Sequence, residues 1–532
     1  MRESRQSWHP DVINRWVFRD VTDTASYGVN TSVTITNGVA VFNGTTSKLT
    51  FTPVKYNNVN TIRLKITKLN SLTQDICKLS STKSISINAG TIVATGFTTP
   101  RIYINGKLTS TITASGGDLF IVQDTAFTIN DFVLGYSTGY FSGEIDLVEI
   151  YNKALVEGMV DAIQNGRYFK EHPADLQLVK EMAELGYIWV PGNTIYSGCE
   201  NGFWVAKYQM KASKTGFRGK GRLVSEYPGL TQTYNTWYYS EDSSITPVSS
   251  ASGSPISKIS QTTSISVCSA LTTSFRKLPR LKLATAQLIN NNHWMTLARN
   301  IEQVTSNWSG GEVGSGYIYS GHNDGTPNAA LVADTNDNNG YYLTGQTSGN
   351  QRRTLTLTNG EVIWDLSGNV WEWTNNTIQR KDQPDGYLNS TDEAYTGGWN
   401  YEDYSKASGG TYYLNSSNLG STTLTYNDLF LLGSSSYTAT TNGIGRIYTY
   451  SNSADADTTV DGFLRGGSWG YGTVAGLLAL ALSYVPGGAD VLIGLRCVVV
   501  PWAFEQLNDG FFWGSDLWPL AWKVKDMQRL KN

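Results

Sequence analysis

Short runs of alternating apolar and polar residues, closed by turn-forming dipeptides, limit the possible folds of this chain more than any other sequence feature. Two such runs are Thr31–Thr36, followed by Asn37-Gly38, and Arg101–Ile104, followed by Asn105-Gly106. An Asn-Gly pair between alternating runs favours a type I′ hairpin, because both central residues need a positive φ. A longer alternating run starts at Phe141. The first 155 residues therefore predict an antiparallel β-sandwich.

The composition agrees with a β-rich chain of several domains. A chain of 532 residues is too long for one hydrophobic core. Its 16 Trp, 30 Tyr and 53 Gly favour strands and tight turns. The net charge is only −3, and no basic stripe or acidic tail is present. We therefore expect neither a nucleic acid nor an anionic membrane as partner.

Export and membrane segments are not expected. The N-terminal sequence MRESRQSWHPDVINRW lacks the apolar stretch of a signal peptide. The longest weakly polar stretch, Val474–Val485, is too short to span a bilayer. Four cysteines lie far apart, without CxxC spacing: Cys77, Cys199, Cys268 and Cys497. We expect them to be reduced, mostly buried thiols, and expect neither a zinc site nor a disulfide framework.

A helical pattern follows the predicted sandwich. Apolar residues recur at helical spacing before the C-cap signal Asn165-Gly166, namely Val156, Met159, Val160 and Ile163. A second short helix is predicted over Leu176–Leu185, ending at Gly186. We place the domain junction here. The predicted domains are a sandwich at 1–155, a helical linker at 156–186 and a C-terminal domain at 187–532.

Two motifs in the predicted sandwich carry a family resemblance. Val41–Phe51 reads VFNGTTSKLTF, and Phe141–Leu155 reads FSGEIDLVEIYNKAL. Together they resemble the laminin-G/concanavalin-like jelly-roll family. Members of that family often bind glycans or act as spacers, and the sequence leaves both roles open. No clustered Asp/Asn set supports a metal in this part of the chain.

A second resemblance covers the C-terminal part. Six segments carry it, in this order: Gly186–Gly192, Phe203–Met210, Leu288–Ala298, Ile363–Thr374, Leu464–Trp469 and Ile493–Cys497. The most specific of them reads IWDLSGNVWEWT. The set is similar to the formylglycine-generating-enzyme branch of the C-type-lectin fold. The expected protein is thus mainly β with some α: a jelly-roll sandwich, a short helical linker and a C-type-lectin-like α+β domain.

Most residues in these motifs are predicted to be scaffold. Gly466-Gly467 permits close backbone approach, and Arg465 and Arg496 are expected to bind loop carbonyls through their planar donor groups. The enzyme branch also implies a calcium ion at Asn369 and Glu372. We expect no cofactor, and the sequence leaves the calcium question open.

The chain lacks the residues that the enzyme branch uses. That branch oxidises a peptide cysteine with a reactive cysteine pair just before its closing Gly-Phe-Arg strand. Here Gly470–Leu495 contains no Cys, His, Lys or Glu, and Cys497 lies inside the closing strand. The chemistry needs a thiolate. No metalloprotease or nucleophile-elbow motif surrounds any of the histidines, His9, His172, His293 and His322. We therefore predict that the chain is not an enzyme.

The segment that replaces the catalytic residues has an unusual composition. Gly470–Leu495 also lacks Gln, Met, Trp and Asn, although the rest of the chain is rich in Asn. It resembles the variable region of proteins diversified by retroelements, the family that includes the major tropism determinant of a phage. There, adenines of Asn codons are randomised. Such codons can become Gly, Tyr, Val, Ala, Ser, Asp or Leu, but never Lys, Glu, Gln, Met or Trp.

By this resemblance the variable region covers about residues 465–497. Leu478, Leu480 and Leu482 are predicted to face the core, and Tyr471 and Tyr484 to be the main contact residues. The alternative is that Val474–Val485 is a buried strand and loop. Ten positions are predicted to face outward and bind the ligand: Gly470, Tyr471, Val474, Ala481, Ser483, Tyr484, Val485, Asp490, Val491 and Leu492.

These features predict a receptor-binding protein, and a phage tail tropism protein in particular. The expected partner is a host cell-surface protein or glycan, bound by several copies on a homo-oligomer such as a trimer, or on a virion structure. The expected location is the virion, after assembly in the host cytoplasm. One alternative is a prokaryotic cell-surface adhesin of the same fold. Another, disfavoured by the missing cysteines, is a formylglycine-generating oxidase.

Overall fold

The fold is taken from a computed structural model. It describes residues 11–18, 29–36, 38–51, 55–173, 175–213, 237–238, 246–333, 351–383, 398–404, 413–414, 424, 443–451 and 458–501. His9 and Asn37 lie outside these residues. The protein is mainly β, with several sheets. It divides into two compact units, Met1–Lys170 and Glu171–Asn532, and the division falls inside the predicted helical linker.

Unit 1 consists of strands followed by two helices. Its strands are β1 (Val12–Val17), β2 (Val29–Thr31), β3 (Thr34–Thr36), β4 (Val39–Asn43), β5 (Lys48–Thr50), β6 (Tyr56–Leu69), β7 (Gln74–Lys78), β8 (Ser84–Asn88), β9 (Thr91–Thr95), β10 (Arg101–Ile104), β11 (Lys107–Leu108), β12 (Gly117–Ile129), β13 (Val133–Leu134) and β14 (Ser142–Tyr151). Its helices are α1 (Glu157–Gln164) and α2 (Arg167–Lys170).

The strands of unit 1 form two antiparallel sheets around one core. Within the described residues, one sheet has the order β11-β10-β12-β6-β14-β4-β3, with β1 paired to β14, and the other β2-β5-β13-β7-β8-β9. Apolar side chains from both sheets, such as Leu64, Ile121 and Ile85, lie in one buried cluster. The alternating pattern of the sequence therefore places one face of each sheet in a shared core, as predicted.

Local predictions in unit 1 are confirmed at one hairpin and wrong at another site. Asn105-Gly106 connects β10 to β11, with φ values of 52° and 78°, as a type I′ turn requires. Thr31–Thr36, in contrast, is not one strand. Ser32 has a φ of 56°, which interrupts the extended backbone and separates β2 from β3.

The predicted helices are present. α1 ends at Asn165, and Gly166 follows with a positive φ, as the C-cap signal indicates. In unit 2, α3 spans Leu176–Glu184 and is followed by Gly186, also at positive φ. The short helix α2 between them was not predicted.

Unit 2 contains α3 and two longer helices, α4 (Gln261–Phe275) and α5 (Asn291–Glu302). Its strands are β15 (Tyr187–Val190), β16 (Phe203–Ala206), β17 (Lys211–Ser213), β18 (Trp237–Tyr238), β19 (Thr246–Val248), β20 (Ile256–Ser257), β21 (Thr285–Leu288), β22 (Thr354–Thr356), β23 (Val362–Trp364), β24 (Trp371–Gln379), β25 (Gly398–Tyr404), β26 (Tyr413–Leu414), β27 (Arg446–Ser451), β28 (Val460–Arg465), β29 (Leu480–Tyr484), β30 (Ile493–Leu495) and β31 (Cys497–Val500).

Two sheets dominate the described part of unit 2. One has the order β15-β16-β31-β21, and the other β26-β25-β27-β29-β28-β24-β30. The second sheet is mixed, since β24 runs parallel to β30 and β27 parallel to β29. Strand β29 therefore lies in the interior of this sheet, between β27 and β28.

The expectation that all cysteines are reduced is wrong. Cys268 of α4 and Cys497 of β31 form a disulfide, with their Cα atoms 5.6 Å apart. Cys77 and Cys199 are free and buried, as expected. The pair lies 229 residues apart in sequence. Only the packing of α4 against the closing strand brings the two thiols together, so no spacing motif marks them.

Within the part of the chain that the structure describes, none of the helices has the length and apolar character that crossing a membrane requires.

Candidate ligand-binding surface

A buried ion pair holds the closing strands of unit 2 together. Strand β24 pairs with β28 on one side and with β30 on the other. The guanidinium of Arg496 donates to both carboxylate oxygens of Glu372, at 2.8 and 2.6 Å. It also donates to the carbonyl oxygens of Ala206 and Trp364. Donation by Arg496 to backbone carbonyls is thus confirmed, although the two acceptors end strands β16 and β23 and do not lie in loops. This buried ion pair has a structural role.

The turn at the start of the variable region is equally constrained. Arg465 donates to the Leu478 carbonyl at 3.0 Å and to the Asn291 side chain. Gly466 and Gly467 have φ values of 90° and 84°. An alanine Cβ at Gly467 would lie 2.5 Å from the Cβ of Ala475. Real Cβ atoms do not approach so closely, so this turn requires glycine.

The residues that the enzyme branch offers to calcium do not fit a metal here. Both carboxylate oxygens of Glu372 accept from Arg496, which already neutralises the charge. The side chain of Asn369 accepts from the Leu331 amide and donates to Gln209. A cation at this position would be repelled by the positive charge of the Arg496 guanidinium. Among the described residues, no group of three or more His, Cys, Asp or Glu is arranged to hold a metal ion.

The middle of the predicted variable region is core. Leu478, Leu480 and Leu482 are fully buried, as predicted. Ala481, predicted to face outward, is also buried, with 4% of its surface exposed. The reason is that β29 is an interior strand with packed side chains on both faces: Leu480 belongs to one core cluster of unit 2 and Ala481 to the other. Ala481 is therefore removed from the predicted contact set.

An aromatic group lies at the edge of this second core cluster. The ring of Tyr471 packs edge-on against Trp371, with centroids 5.2 Å apart, and against Tyr448 at 5.6 Å. Trp371 is buried, whereas both tyrosines are half-exposed. Burial raises the pKa of Tyr471, while a hydrogen bond with the Trp371 side chain opposes the rise. The buried indole thus supports a tyrosine that keeps one side open to solvent.

Tyr484 and Asp490 extend this group. Burial raises the pKa of Tyr484, and the charge of Asp490 raises it further. The same carboxylate acts on Tyr471, which places all three side chains within electrostatic reach of one another. Leu492 packs against the same cluster. We call Tyr448, Tyr471, Tyr484, Asp490 and Leu492 the candidate surface.

Asp490 also shapes the loop that carries it. Its side chain accepts from the amide of Leu492 at 2.9 Å, and its carbonyl accepts from the amides of Lys258 and Ile493. The chain thus turns at Asp490 and returns into β30. An Asp side chain that accepts from the backbone amide two residues later is a common way to stabilise a turn, and it does so within the loop itself.

The other predicted positions flank the candidate surface. Gly470 is exposed, and Val474, Ser483 and Val491 are half-buried. Val485 has 42% of its surface exposed at the turn after β29. Nine of the ten predicted positions thus have some exposure: Ser483 and Tyr484 are the last two residues of β29, and the other seven lie in the segments before and after that strand. The structure gathers Tyr471, Tyr484, Asp490 and Leu492 around one core edge.

The glycines of this region fall into two kinds. A Cβ added at Gly470 or Gly487 meets no atom within 4 Å, and neither residue has a positive φ. In the scaffold, a Cβ at Gly466 would lie 2.8 Å from the Leu366 carbonyl oxygen, and one at Gly494 2.6 Å from the Ile256 carbonyl oxygen. A Cβ therefore fits at these two loop glycines, whereas none fits at Gly466 or Gly494.

Tyr448 was missed in the sequence. It lies on β27, and β27 pairs in parallel with β29, so that Tyr448 is opposite Ala481. The strand IYTY alternates aromatic with other residues, which was the available signal. The pairing of this strand with β29, however, cannot be read from the local sequence, because it depends on the fold of the whole unit.

The histidine and cysteine side chains of unit 2 that could take part in catalysis are engaged in structural contacts or are protonated. His322 contacts the carbonyl oxygens of Pro327 and Ala329 through Nε2, and His172 contacts Glu361. Cys497 is in the disulfide. Burial raises the pKa of the Cys199 thiol to about 11, so this residue is protonated at neutral pH.

Comparisons with known proteins give no family for this chain. No family model matches it, and no curated protein matches it. Weakly similar solved structures include the following two. The receptor binding domain of botulinum neurotoxin C/D mosaic serotype is 11% identical, with a TM-score of 0.21, over 31% of this chain and 53% of the other. A mutant of HCR/D is 11% identical, with a TM-score of 0.16, over 38% and 52%. The chain spans about half the length of both structures, and likenesses this weak carry no argument on fold or function.

Proposed function

We propose that this chain is a non-enzymatic receptor-binding protein. In this proposal unit 2 is a C-type-lectin-like scaffold of the formylglycine-generating-enzyme type, and unit 1 is a laminin-G/concanavalin-like jelly roll. The two loops around β29 form a surface that a retroelement diversifies. The ligand is a protein or glycan on a host cell, and the chain acts as an oligomer at a phage tail.

One observation carries the proposal: an added side chain is sterically free at the loop positions Gly470 and Gly487 and excluded at Gly466 and Gly467, in the turn that supports the first loop. A Cβ at Gly470 meets nothing within 4 Å, whereas a Cβ at Gly467 meets Ala475. A rigid scaffold with open surface positions is what a diversifiable binding protein needs, because sequence can then change without loss of fold.

The candidate surface has the composition of a binding site. Its three tyrosines supply a large contact area with few rotatable bonds, and Leu492 supplies apolar area. Because association costs roughly 4–15 kcal/mol before any net affinity appears, a surface of this size binds weakly alone. Attachment then depends on several copies acting together.

A library experiment tests the proposal. Gly470, Tyr471, Val474, Tyr484 and Val485 are randomised together, and a matched library randomises buried scaffold positions of unit 2. We expect most members of the first library to express as folded protein and to differ in the cells they bind. Loss of folding at equal frequency in both libraries would refute a diversifiable surface.

The disulfide favours the cell-surface alternative over assembly in a reducing cytoplasm. Disulfides persist mainly in oxidising surroundings, and Cys268–Cys497 is buried in unit 2. A prokaryotic adhesin with the same binding surface would meet such surroundings. Thiol labelling of the natural protein, unfolded in denaturant without reductant, separates the two: an unlabelled pair supports the adhesin, and a fully labelled pair supports cytoplasmic assembly.

A further inference from the structure

Unit 2 contains a cavity that shares no residue with the candidate surface. Its volume is about 280 Å³, and it lies where β21 and β31 meet the start of α5. Among the residues that line it are Ser197, Thr285, Gln287, Asn290, His293 and Val500.

Secondary structure fixes the walls of this cavity. In β21, Ala286 and Leu288 are buried in the core, and the alternate residues Thr285 and Gln287 line the cavity. Thr285 pairs with Val500 of β31. Another part of the lining is the loop at Ser197, whose carbonyl accepts from the side chain of Asn292 at 3.1 Å, so that the loop is held against α5.

The contacts of His293 determine which of its two ring nitrogens carries the proton and can donate a hydrogen bond. Its Nδ1 accepts from the backbone N–H of Asn290 at 3.4 Å, within the capping box of α5. Burial lowers the pKa of His293 to about 4, so the ring is neutral at pH 7. A neutral imidazole whose Nδ1 accepts carries its proton on Nε2. The Phe203 ring packs edge-on against it, with centroids 4.5 Å apart.

The chemistry of the lining selects against ions. Among its described residues are two hydroxyls, two carboxamides and a neutral imidazole, and none has a charged side chain. A charged ligand would find no ion partner among these side chains. A neutral ligand rich in hydroxyls can instead both donate and accept at these groups.

The volume of the cavity fits a ligand that consists of a single ring. Binding sites for drug-sized molecules have volumes of about 300–1,000 Å³, so a cavity of about 280 Å³ is at the lower limit. From the walls, the neutral lining and the volume together, we propose that this cavity binds a single neutral monosaccharide unit. The chain would then recognise sugar at a fixed site in addition to the ligand of its candidate surface.

Saturation-transfer difference NMR on the full chain tests this inference. The probes are the methyl α-glycosides of glucose, galactose and mannose, with N-acetylneuraminic acid and glucose 6-phosphate as charged comparisons. We expect at least one neutral glycoside to bind with a millimolar Kd, and the charged sugars to bind at least tenfold more weakly.

Two variants connect the signal to the cavity. Gln287→Leu removes the carboxamide at similar volume, and Thr285→Val removes a hydroxyl at an exposed position; each should weaken binding at least fivefold. The control is Gln177→Leu, the same exchange on the exposed face of α3, which should leave the Kd unchanged. Absence of any neutral-glycoside signal, preference for the charged sugars, or a Kd within twofold of the parent in both cavity variants would overturn the proposal. If Gln287→Leu does not fold, Thr285→Val decides alone.

Discussion

Alanine at Gly467 and alanine at Gly470 should have opposite consequences, although the two glycines lie only three residues apart. Gly467 has a φ of 84°, and its new Cβ would lie 2.5 Å from the Cβ of buried Ala475. Gly470 is exposed, lacks a positive φ, and has open space around its Cβ position. The pair therefore compares a scaffold turn with a loop position by the same chemical change.

The magnitudes follow from these two environments. A left-handed backbone costs alanine about 1–2 kcal/mol relative to glycine, and a methyl forced into a packed region costs typically another 1–3 kcal/mol. We expect Gly467→Ala to lower the free energy of unfolding of unit 2 by about 2–5 kcal/mol. Gly470→Ala should change it by less than about 0.5 kcal/mol.

Urea unfolding of the full chain, followed by tryptophan fluorescence, measures both variants against the parent. Gly470→Tyr should also unfold at the parent midpoint, since Gly470 is exposed and a Cβ at this position meets no atom within 4 Å. Equal midpoints for Gly467→Ala and Gly470→Ala would refute the distinction between scaffold turns and open loops, and with it the argument for a diversifiable surface.

Three further predictions concern unit 2. Replacing Cys268 and Cys497 together by alanine frees a loop of 229 residues; the free energy of unfolding should fall by up to about 5 kcal/mol, and a loss below 1 kcal/mol in non-reducing urea titrations would contradict this. Glu372→Gln leaves the buried guanidinium of Arg496 without its ion partner and should cost about 3–5 kcal/mol, measured by calorimetry. The folded-state pKa of His293 is about 4, below the usual 6.5, so the folded state resists protonation. The free energy of unfolding should therefore decrease as pH falls from 6.5 towards 4, by up to about 3 kcal/mol. If His293→Gln shows the same pH dependence of this free energy as the parent, the assignment is wrong.

Local sequence patterns predicted local structure well. Asn105-Gly106 forms its hairpin, and α1 ends at Asn165, because turn and cap preferences depend only on neighbouring residues. Leu478, Leu480 and Leu482 are core positions as predicted, but their alternation with outward residues is wrong, because Ala479 and Ala481 are buried as well. The correctly predicted features needed no knowledge of distant parts of the chain.

Features that depend on distant partners were not predicted. Ala481 is buried because a core cluster packs on each face of β29, and the distant segments that supply those clusters cannot be identified from the strand itself. The same holds for the disulfide, whose cysteines approach only after α4 packs on β31. Of the candidate site, the two loops and their tyrosines were found from sequence, whereas the supporting Trp371–Tyr448 contact was not.

The enclosed position of β29 determines how this part of the gene can evolve. One inserted or deleted residue within the strand would exchange its two faces, so that leucines and alanines would occupy each other's core sites. Lengthening can therefore occur only before Leu480 or after Tyr484, and point replacement is the route by which the intervening residues change. Lineages of this protein should conserve the number of residues across that strand even where its flanking loops have diverged completely.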